Sequence, residues 1–344
     1  MKILLVSEKS AGHVYPALAI AEKIRDKRSR KDSVIFFNNS RFFKAYIQSK
    51  GYSAFGSTYK FRNFLNESIW RCFEAVYLII KIRPGRVIGF GGRSSFFLVL
   101  FSFIFGRKTS IYEPNLKMGR ANRLLSCFVK DILRGICSLD KAKNYKVIGI
   151  PLGKNIVKKS KEKLKKSLNF DQRPVVLCFG GSQGSAFINS NFFNFVKRNK
   201  DNLYQIVHIT GKNNYSHLAN SYKLVDNNKI IKDFCPDMST FYNIADGIVS
   251  RAGALTLAEI SFYNIPAILI PHPGAFGHQR INARYLGNNK AAFVFNQDDF
   301  NFEKFEICLN KIIWDNSTRE EIKNNLKKIK IGVSYEDFSF NSII

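Results

Sequence analysis

Residues 175–185 read Val175-Val176-Leu177-Cys178-Phe179-Gly180-Gly181-Ser182-Gln183-Gly184-Ser185. Five uncharged apolar residues in a row predict a strand buried on both faces. The glycines stop that strand, and Ser185 to Arg198 then resumes a helical spacing of apolar positions. A strand that ends in a glycine turn opening a helix is the unit from which doubly wound sheets are built. The same turn has a chemistry. Glycines let backbone approach a ligand closely, and the helix's first N–H groups face outward at the positive end of its dipole. Residues 180–185 therefore predict an anion site suited to a diphosphate. No Gly-Lys-Ser/Thr follows, so this is not a Walker A loop, nor is it a strict Gly-x-Gly-x-x-Gly. The competing reading is a turn that only packs helix on strand.

The pattern extends in both directions. Downstream, Leu203–Ile209, Lys229–Phe234, Gly247–Ser250, Ala267–Ile270 and Ala291–Phe295 are strand candidates, with helices over Met238–Ala245, Ala254–Phe262 and Gln279–Gly287. Upstream, Lys2–Val6, Val34–Phe37, Val87–Phe90 and Thr109–Tyr112 read as buried parallel strands, with helices over Val14–Lys27, Asn63–Ile82 and Met118–Val129. A Lys-rich stretch separates the two halves. The expected organisation is an α/β chain of two doubly wound Rossmann-like domains with a cleft between them. The expected boundaries are a first domain over 1–153, a basic linker over 154–173, a second domain over 174–330 and a tail over 331–344. Ligands in such sheets bind beyond the carboxyl ends of the strands.

Two further strand ends carry candidate chemistry. Ser250 is followed by Arg251-Ala252-Gly253-Ala254-Leu255-Thr256-Leu257-Ala258-Glu259, small residues that permit close approach and a carboxylate about one turn into the helix. Such a carboxylate can accept two hydrogen bonds from a vicinal diol such as a ribose; a solvated glutamate is the alternative. Next comes a turn-rich loop, Pro271 to Asn282, in which Gln279 and Asn282 share one helix face. Paired carboxamides suit the mixed donors and acceptors of a sugar. At the first strand's end, Ala11-Gly12-His13 opens a helix, and an imidazole there can serve as a base.

The chain has 344 residues, 45% of them hydrophobic, so it can bury two cores and does not read as disordered. Its formal net charge is +28. An excess of that size suits an acidic partner, either a phosphate-rich ligand or an anionic membrane, although a Lys- and Asn-rich compositional drift produces the same excess. No DNA- or RNA-binding motif is present, so nucleic acid is not expected. Only four apolar residues precede Ser7-Glu8-Lys9, too few for a signal peptide, and the six cysteines form no Cys-x-x-Cys pair. A cytosolic, reduced chain without disulfides or structural zinc is expected. The longest apolar run, Phe96 to Phe105, is far short of a bilayer span.

Taken together, these residues resemble the MurG family of UDP-N-acetylglucosamine–N-acetylmuramyl-(pentapeptide) pyrophosphoryl-undecaprenol N-acetylglucosamine transferases. The resemblance runs from about residue 2 to 330. It rests on the loop at 180–185, the run from Asp246 to Glu259, Gly277-His278-Gln279-Arg280-Ile281-Asn282-Ala283, residues 12–21 and the pair Glu113-x-Asn115. It implies the two-domain GT-B fold, with a membrane-borne acceptor on the first domain and UDP-GlcNAc on the second. By position, Gly181, Ser182, Gln183 and Gly184 would hold the diphosphate and Glu259 the ribose. Ala254, Leu255, Thr256, Leu257, Ala258, Gln279, Asn282 and Asn115 would lie along the sugar or nearby donor groups. Cys235 falls where the family sets a residue against uracil, and Ser10, Ala11 and Gly12 match its first glycine loop.

The implied reaction is an inverting transfer of GlcNAc to the muramyl 4-hydroxyl of undecaprenyl-pyrophosphoryl-MurNAc-pentapeptide (lipid I to lipid II). His13 is the first choice of base and Glu113 the second. The absence of any Asp-x-Asp points to no metal, and no other cofactor is implied. An apolar helical stripe of Ile69, Trp70, Phe73, Val76, Tyr77 and Ile80, flanked by Arg62, Arg71, Lys81 and Arg83, suits peripheral binding at the cytoplasmic face of an anionic membrane, with a plain core helix as the alternative.

The chain departs from the family's pattern in several places. Glu8-Lys9-Ser10-Ala11-Gly12-His13 stands for Gly-Gly-Thr-Gly-Gly-His, Arg93 follows the pair Gly91-Gly92, Pro114 sits inside Glu-Gln-Asn, and Gly153 replaces a donor-phosphate arginine, with Lys154 next to it. These departures keep a second expectation open: a weakened nucleotide- or lipid-binding scaffold of wall assembly, or another GT-B glycolipid synthase.

Overall fold

The computed structural model describes residues 1–8, 10–27, 33–57, 63–137, 145–199, 203–225, 228–274 and 277–339. They form two compact units, Met1–Lys154 with Val333–Ile344, and Asn155–Gly332.

The first unit runs β1 (Lys2–Val6), α1 (Ala11–Lys27), β2 (Ser33–Phe37), α2 (Arg41–Ser49), β3 (Ser53–Phe55), α3 (Phe64–Ile82), β4 (Arg86–Gly89), α4 (Arg93–Ile104), β5 (Lys108–Glu113), α5 (Arg120–Leu125), β6 (Asp131–Arg134), β7 (Tyr145–Val147) and β8 (Ile150–Pro151). Its seven-stranded sheet has the order β3-β2-β1-β4-β5-β6-β7, with every pair parallel. Strand β1 shows why the sheet needs helices on both faces. Its side chains alternate, with Ile3 and Leu5 in the core beneath α1 and Leu4 and Val6 in the core beneath α3 and α4. All four are fully buried.

The second unit runs α6 (Lys161–Ser167), β9 (Val175–Phe179), α7 (Ala186–Arg198), β10 (Gln205–Ile209), α8 (Tyr215–Tyr222), β11 (Lys229–Lys232), α9 (Ser239–Ile244), β12 (Gly247–Ser250), α10 (Ala254–Tyr263), β13 (Ala267–Leu269), α11 (His278–Asn288), β14 (Phe293–Val294), α12 (Phe302–Trp314) and α13 (Asn316–Ile329). Its sheet order, β11-β10-β9-β12-β13-β14, is again parallel throughout. Both sheets reverse their strand order once, at β1/β4 and at β9/β12, and these are the places where a doubly wound sheet opens a crevice for a ligand.

Two boundaries differ from the sequence expectation. Residues 154–173 are not a free linker: from Asn155 onward they are part of the second unit. Asp246 ties them down, meeting the Lys161 ammonium at 2.5 Å and accepting the Val175 N–H at 2.9 Å. The Lys165 ammonium, buried, donates to the carbonyls of Gln172 and Arg173. Lys161 and Lys165 thus tie the segment to the second unit, while Lys158, Lys159, Lys163 and Lys166 stay exposed. Nor are residues 333–339 a loose tail. Phe338 enters the core beneath α1, the Lys23 ammonium donates to the carbonyls of Tyr335 and Glu336, and the Tyr335 hydroxyl donates to Asp26.

Candidate functional site

In the second unit, the turn after β9 is closed by the Gly184 N–H donating to the Gly181 carbonyl at 3.0 Å, which leaves Ser182 and Gln183 exposed at its tip. Gly184 has φ +75°, and a Cβ on it would lie 2.2 Å from the Thr210 carbonyl oxygen, so no other residue fits there. The floor beneath it is a buried polar chain. The His208 ring lies 2.9 Å from the Tyr222 hydroxyl and 3.1 Å from Asn189 Oδ1, and the Asn189 amide donates to that same Thr210 carbonyl. Burial pushes His208 down to about 3, so the ring is neutral and the chain is a fixed support. Ser185 begins α7 and accepts the Ile188 N–H on its hydroxyl oxygen.

Across the strand-order reversal, β12 pairs directly with β9, and the turn 251–253 leads into α10. Here the carried-over run divides. Leu257 and Ala258 are fully buried, so their side chains are core and not ligand contacts; they face the sheet because α10 packs its apolar side inward. Ala254 is buried too, while Leu255, Thr256 and Glu259 keep part of their surface. The Glu259 carboxylate accepts the Tyr242 hydroxyl at 2.7 Å, and burial pushes it up to about 7 against that bond. Tyr242 is buried and stacks flat on Tyr263.

Gln279 is partly exposed at the start of α11, with its Oε1 accepting the His272 N–H. Asn282 corrects the sugar reading: it is fully buried and donates to the Ala252 carbonyl, which makes it a brace for the 251–253 turn. The Cys235 thiol donates to the Asp237 carbonyl, and burial raises its pKa, so it is no thiolate nucleophile. Residues 275–276 of the loop before α11 lie outside the described residues.

In the first unit, Ser10 precedes α1, Ala11 and Gly12 are its first residues, and Lys9 lies outside the described residues. The chain enters helix here instead of forming a glycine loop. Glu8 turns toward α4. Its carboxylate accepts the Ser94 N–H in the first turn of α4 and stands against Gly92, where a Cβ would lie 2.2 Å from the Glu8 Cδ. His13 and Asn122 approach one another over Gly91: the His13 Nε2 and the Asn122 Nδ2 are each 3.5 Å from the point a Cβ of Gly91 would take.

The second choice of base does not fit a proton acceptor. The buried Glu113 carboxylate accepts four hydrogen bonds, from the Asn115 N–H and side-chain amide and from the Gly119 N–H and the Asn122 amide. Every lone-pair direction is filled, so Glu113 orders the 113–119 loop, and Asn115 is folded onto it. Lys154 also has prior commitments. It pairs with Asp26 at 2.5 Å and lies over the Tyr335 ring, so it does not stand in for the phosphate arginine missing at Gly153.

The comparisons with known proteins follow this division. The chain matches the glycosyltransferase family 28 N-terminal domain over residues 9–134 and the family's C-terminal domain over residues 175–333. Two proteins named UDP-N-acetylglucosamine–N-acetylmuramyl-(pentapeptide) pyrophosphoryl-undecaprenol N-acetylglucosamine transferase are similar along nearly their whole length. The one from Thermoanaerobacter sp. (strain X514) is 30% identical over 96% of this chain and 95% of the relative. The one from Francisella tularensis subsp. tularensis (strain FSC 198) is 31% identical over 97% and 95%. The chain belongs to the MurG family. The crystal structure of Acinetobacter baumannii MurG shares the fold at a TM-score of 0.75 and 21% identity, covering 97% of this chain and 96% of that one. A UDP-GlcNAc 2-epimerase from Neisseria meningitidis, bound to UDP-GlcNAc, shares it at 0.69 and 13%, covering 96% of each chain. The GT-B architecture of the MurG family is thus the architecture of this chain.

A separate feature lies on the first unit. On α3, Ile69, Trp70, Phe73, Tyr77 and Ile80 are exposed, Phe73 at 70%. The neighbouring α4 adds Phe103 and Ile104 and ends in the exposed Phe105, and the segment after α5 adds Phe128, whose ring meets that of Phe103. The stripe is surface, not core. Lys81 and Arg83 are exposed beside it. Arg71 is not one of its flanking cations: it is buried, paired with Glu74 at 2.5 Å and with Glu67. Arg62 lies outside the described residues. No helix among the described residues is long and apolar enough to cross a membrane.

Proposed function

We propose that this chain transfers GlcNAc with inversion from UDP-GlcNAc to the muramyl 4-hydroxyl of undecaprenyl-pyrophosphoryl-MurNAc-pentapeptide, the step that makes lipid II for peptidoglycan. One observation carries the reading: a glycine loop after β9 that opens α7 and a carboxylate on α10 flank the β9/β12 reversal of one sheet. That placement suits a nucleoside diphosphate, with Ser182 and the loop amides on phosphate and Glu259 on ribose. Leu255, Thr256 and Gln279 are the partly exposed groups left to read the sugar. As the glycosidic bond breaks, negative charge collects on the leaving diphosphate, where fixed amide dipoles stabilise it without reorganising. His13 takes the hydroxyl proton of the acceptor as the general base.

The acceptor's lipid tail stays in the bilayer, and the exposed face of α3 and α4 with Lys81 and Arg83 supports peripheral attachment at the cytoplasmic leaflet. The excess of positive charge suits anionic lipid, and no nucleic acid is a partner in this reading. The deciding experiment supplies purified protein with UDP-GlcNAc and lipid I and follows formation of the disaccharide-linked lipid. Failure to move GlcNAc, with the protein folded and binding UDP, removes the transferase reading and leaves a scaffold.

A further inference from the structure

Ser185 and Arg251 form a pair that the family pattern of the loop does not account for. Arg251 follows β12 and is buried, yet no carboxylate pairs with it among the described residues. Its guanidinium donates to the carbonyls of Ile270 and Pro271, to Gln297 Oε1 and, at 2.7 Å, to the Ser185 hydroxyl oxygen. It is a cation taken out of water and set beside the positive end of α7, an arrangement that neutral partners offset only in part. Ser185, 7% exposed, accepts from Arg251 and from the Ile188 N–H.

A hydroxyl oxygen has two lone pairs and one proton. Both lone pairs are taken, so what Ser185 has left to offer is its O–H. Among the described residues that proton has no acceptor. Ser185 follows Gly184 at the foot of the β9 loop and caps α7, where the positive end of the helix dipole favours a negatively charged oxygen as the acceptor of that proton.

We infer that Ser185 is a phosphate-binding donor, its hydroxyl polarised by Arg251, so that the buried cation acts on the ligand's diphosphate through the serine. Ser185 touches the ligand and Arg251 positions and polarises it. The inference rests on the donor reading above. It adds a specificity: the pair distinguishes a nucleoside diphosphate from the bare nucleoside.

The test is calorimetric titration of the full chain with UDP and with uridine. Ser185→Ala removes the proton and should weaken UDP about tenfold, about 1.4 kcal/mol, while uridine binds as before. Ser185→Thr keeps a hydroxyl and should restore UDP to within about twofold. Arg251→Lys, which keeps the charge, should bind UDP better than Arg251→Gln. If Ser185→Ala loses its fold with its helix cap, Ser185→Gly replaces it, because glycine is nearly as good a cap. UDP binding unchanged in Ser185→Ala, or lost equally for UDP and uridine, overturns the inference and leaves Ser185 a cap. Wild-type protein that binds no UDP overturns the donor reading and this inference with it. Wild-type binding with an indifferent Ser185→Ala overturns this inference alone.

Discussion

Glu259 sets both the direction and the size of a pH effect on donor binding. Its carboxyl is moved from the ordinary 4.5 up to about 7, by burial first, with the Tyr242 hydroxyl pulling the other way. That rise favours the neutral form by about 3 kcal/mol. The folded value lies above the unfolded one. The group's contribution to stability is therefore complete below pH 4.5 and is lost as pH rises from there through about 7. Ligand binding runs the opposite way, because ribose hydroxyls donate to the carboxylate and select the ionised form. With a midpoint at about 7, the ionised fraction falls about tenfold from pH 8 to pH 6. The Kd for UDP-GlcNAc should rise by the same factor. UDP-GlcNAc is the right ligand because its diphosphate diester takes up no proton in this range, whereas the terminal phosphate of UDP does. Calorimetry at pH 6, 7 and 8 reads the slope. Glu259→Gln should bind more weakly at pH 8 and show no slope, and Tyr242→Phe should move the midpoint upward by removing the bond that lowers it. A wild-type Kd flat across this range, or a Gln variant with the wild-type slope, would refute the ribose assignment and the buried-carboxylate argument together.

The other expectations concern the first unit. Glu113→Gln turns an acceptor into a donor facing N–H groups it now satisfies, so chemical denaturation should show a loss of about 2–4 kcal/mol, with the loss in stability and not in a pH–rate limb. His13→Ala should lower kcat about 10²–10⁴-fold, the usual share of a general base, with the KM for UDP-GlcNAc little changed; a kcat within tenfold of wild type removes His13 from the chemistry. Vesicle co-sedimentation of the Trp70→Ser/Phe73→Ser variant should fall at both low and high salt, because apolar burial is not screened. Each nearby Lys or Arg adds about 1 kcal/mol that salt removes. Retention equal to wild type at both salts places the lipid surface elsewhere.

The parts of the molecule legible in the sequence were those set by one local pattern. Apolar runs such as Val175–Phe179 and Lys2–Val6 marked central parallel strands because such strands are buried on both faces. Among what escaped were short elements: β3 has only three residues, and α2 carries its apolar positions on too short a helix to stand out; the longer helices α4, α12 and α13 were not marked either. The site divided in the same way. Glycine turns and Glu259 announced themselves through residue type. The fates of Asn282, Leu257 and Glu113 depended on which way a helix or loop faced, and a family motif does not print that. Ser185 and Arg251 lie 66 positions apart, and only the pairing of β9 with β12 brings them together. The sole local hint was an arginine in a stretch otherwise made of small and apolar residues.

The segment after Gly332 has a consequence for synthesis. The ribosome finishes β1 to β8 long before it reaches Phe338, yet Phe338 belongs to the core that those strands share with α1. Until the whole of Asn155–Gly332 has been made, the first unit is without this aromatic ring and without the Tyr335 hydroxyl and the 335–336 carbonyls that engage Asp26 and Lys23. The nascent first domain therefore waits with a gap beneath α1, on the sheet face opposite α3. A late step in completing the N-terminal half is made by residues 335–338, so a stop codon or a fusion placed near residue 333 strikes the domain farthest from it in sequence.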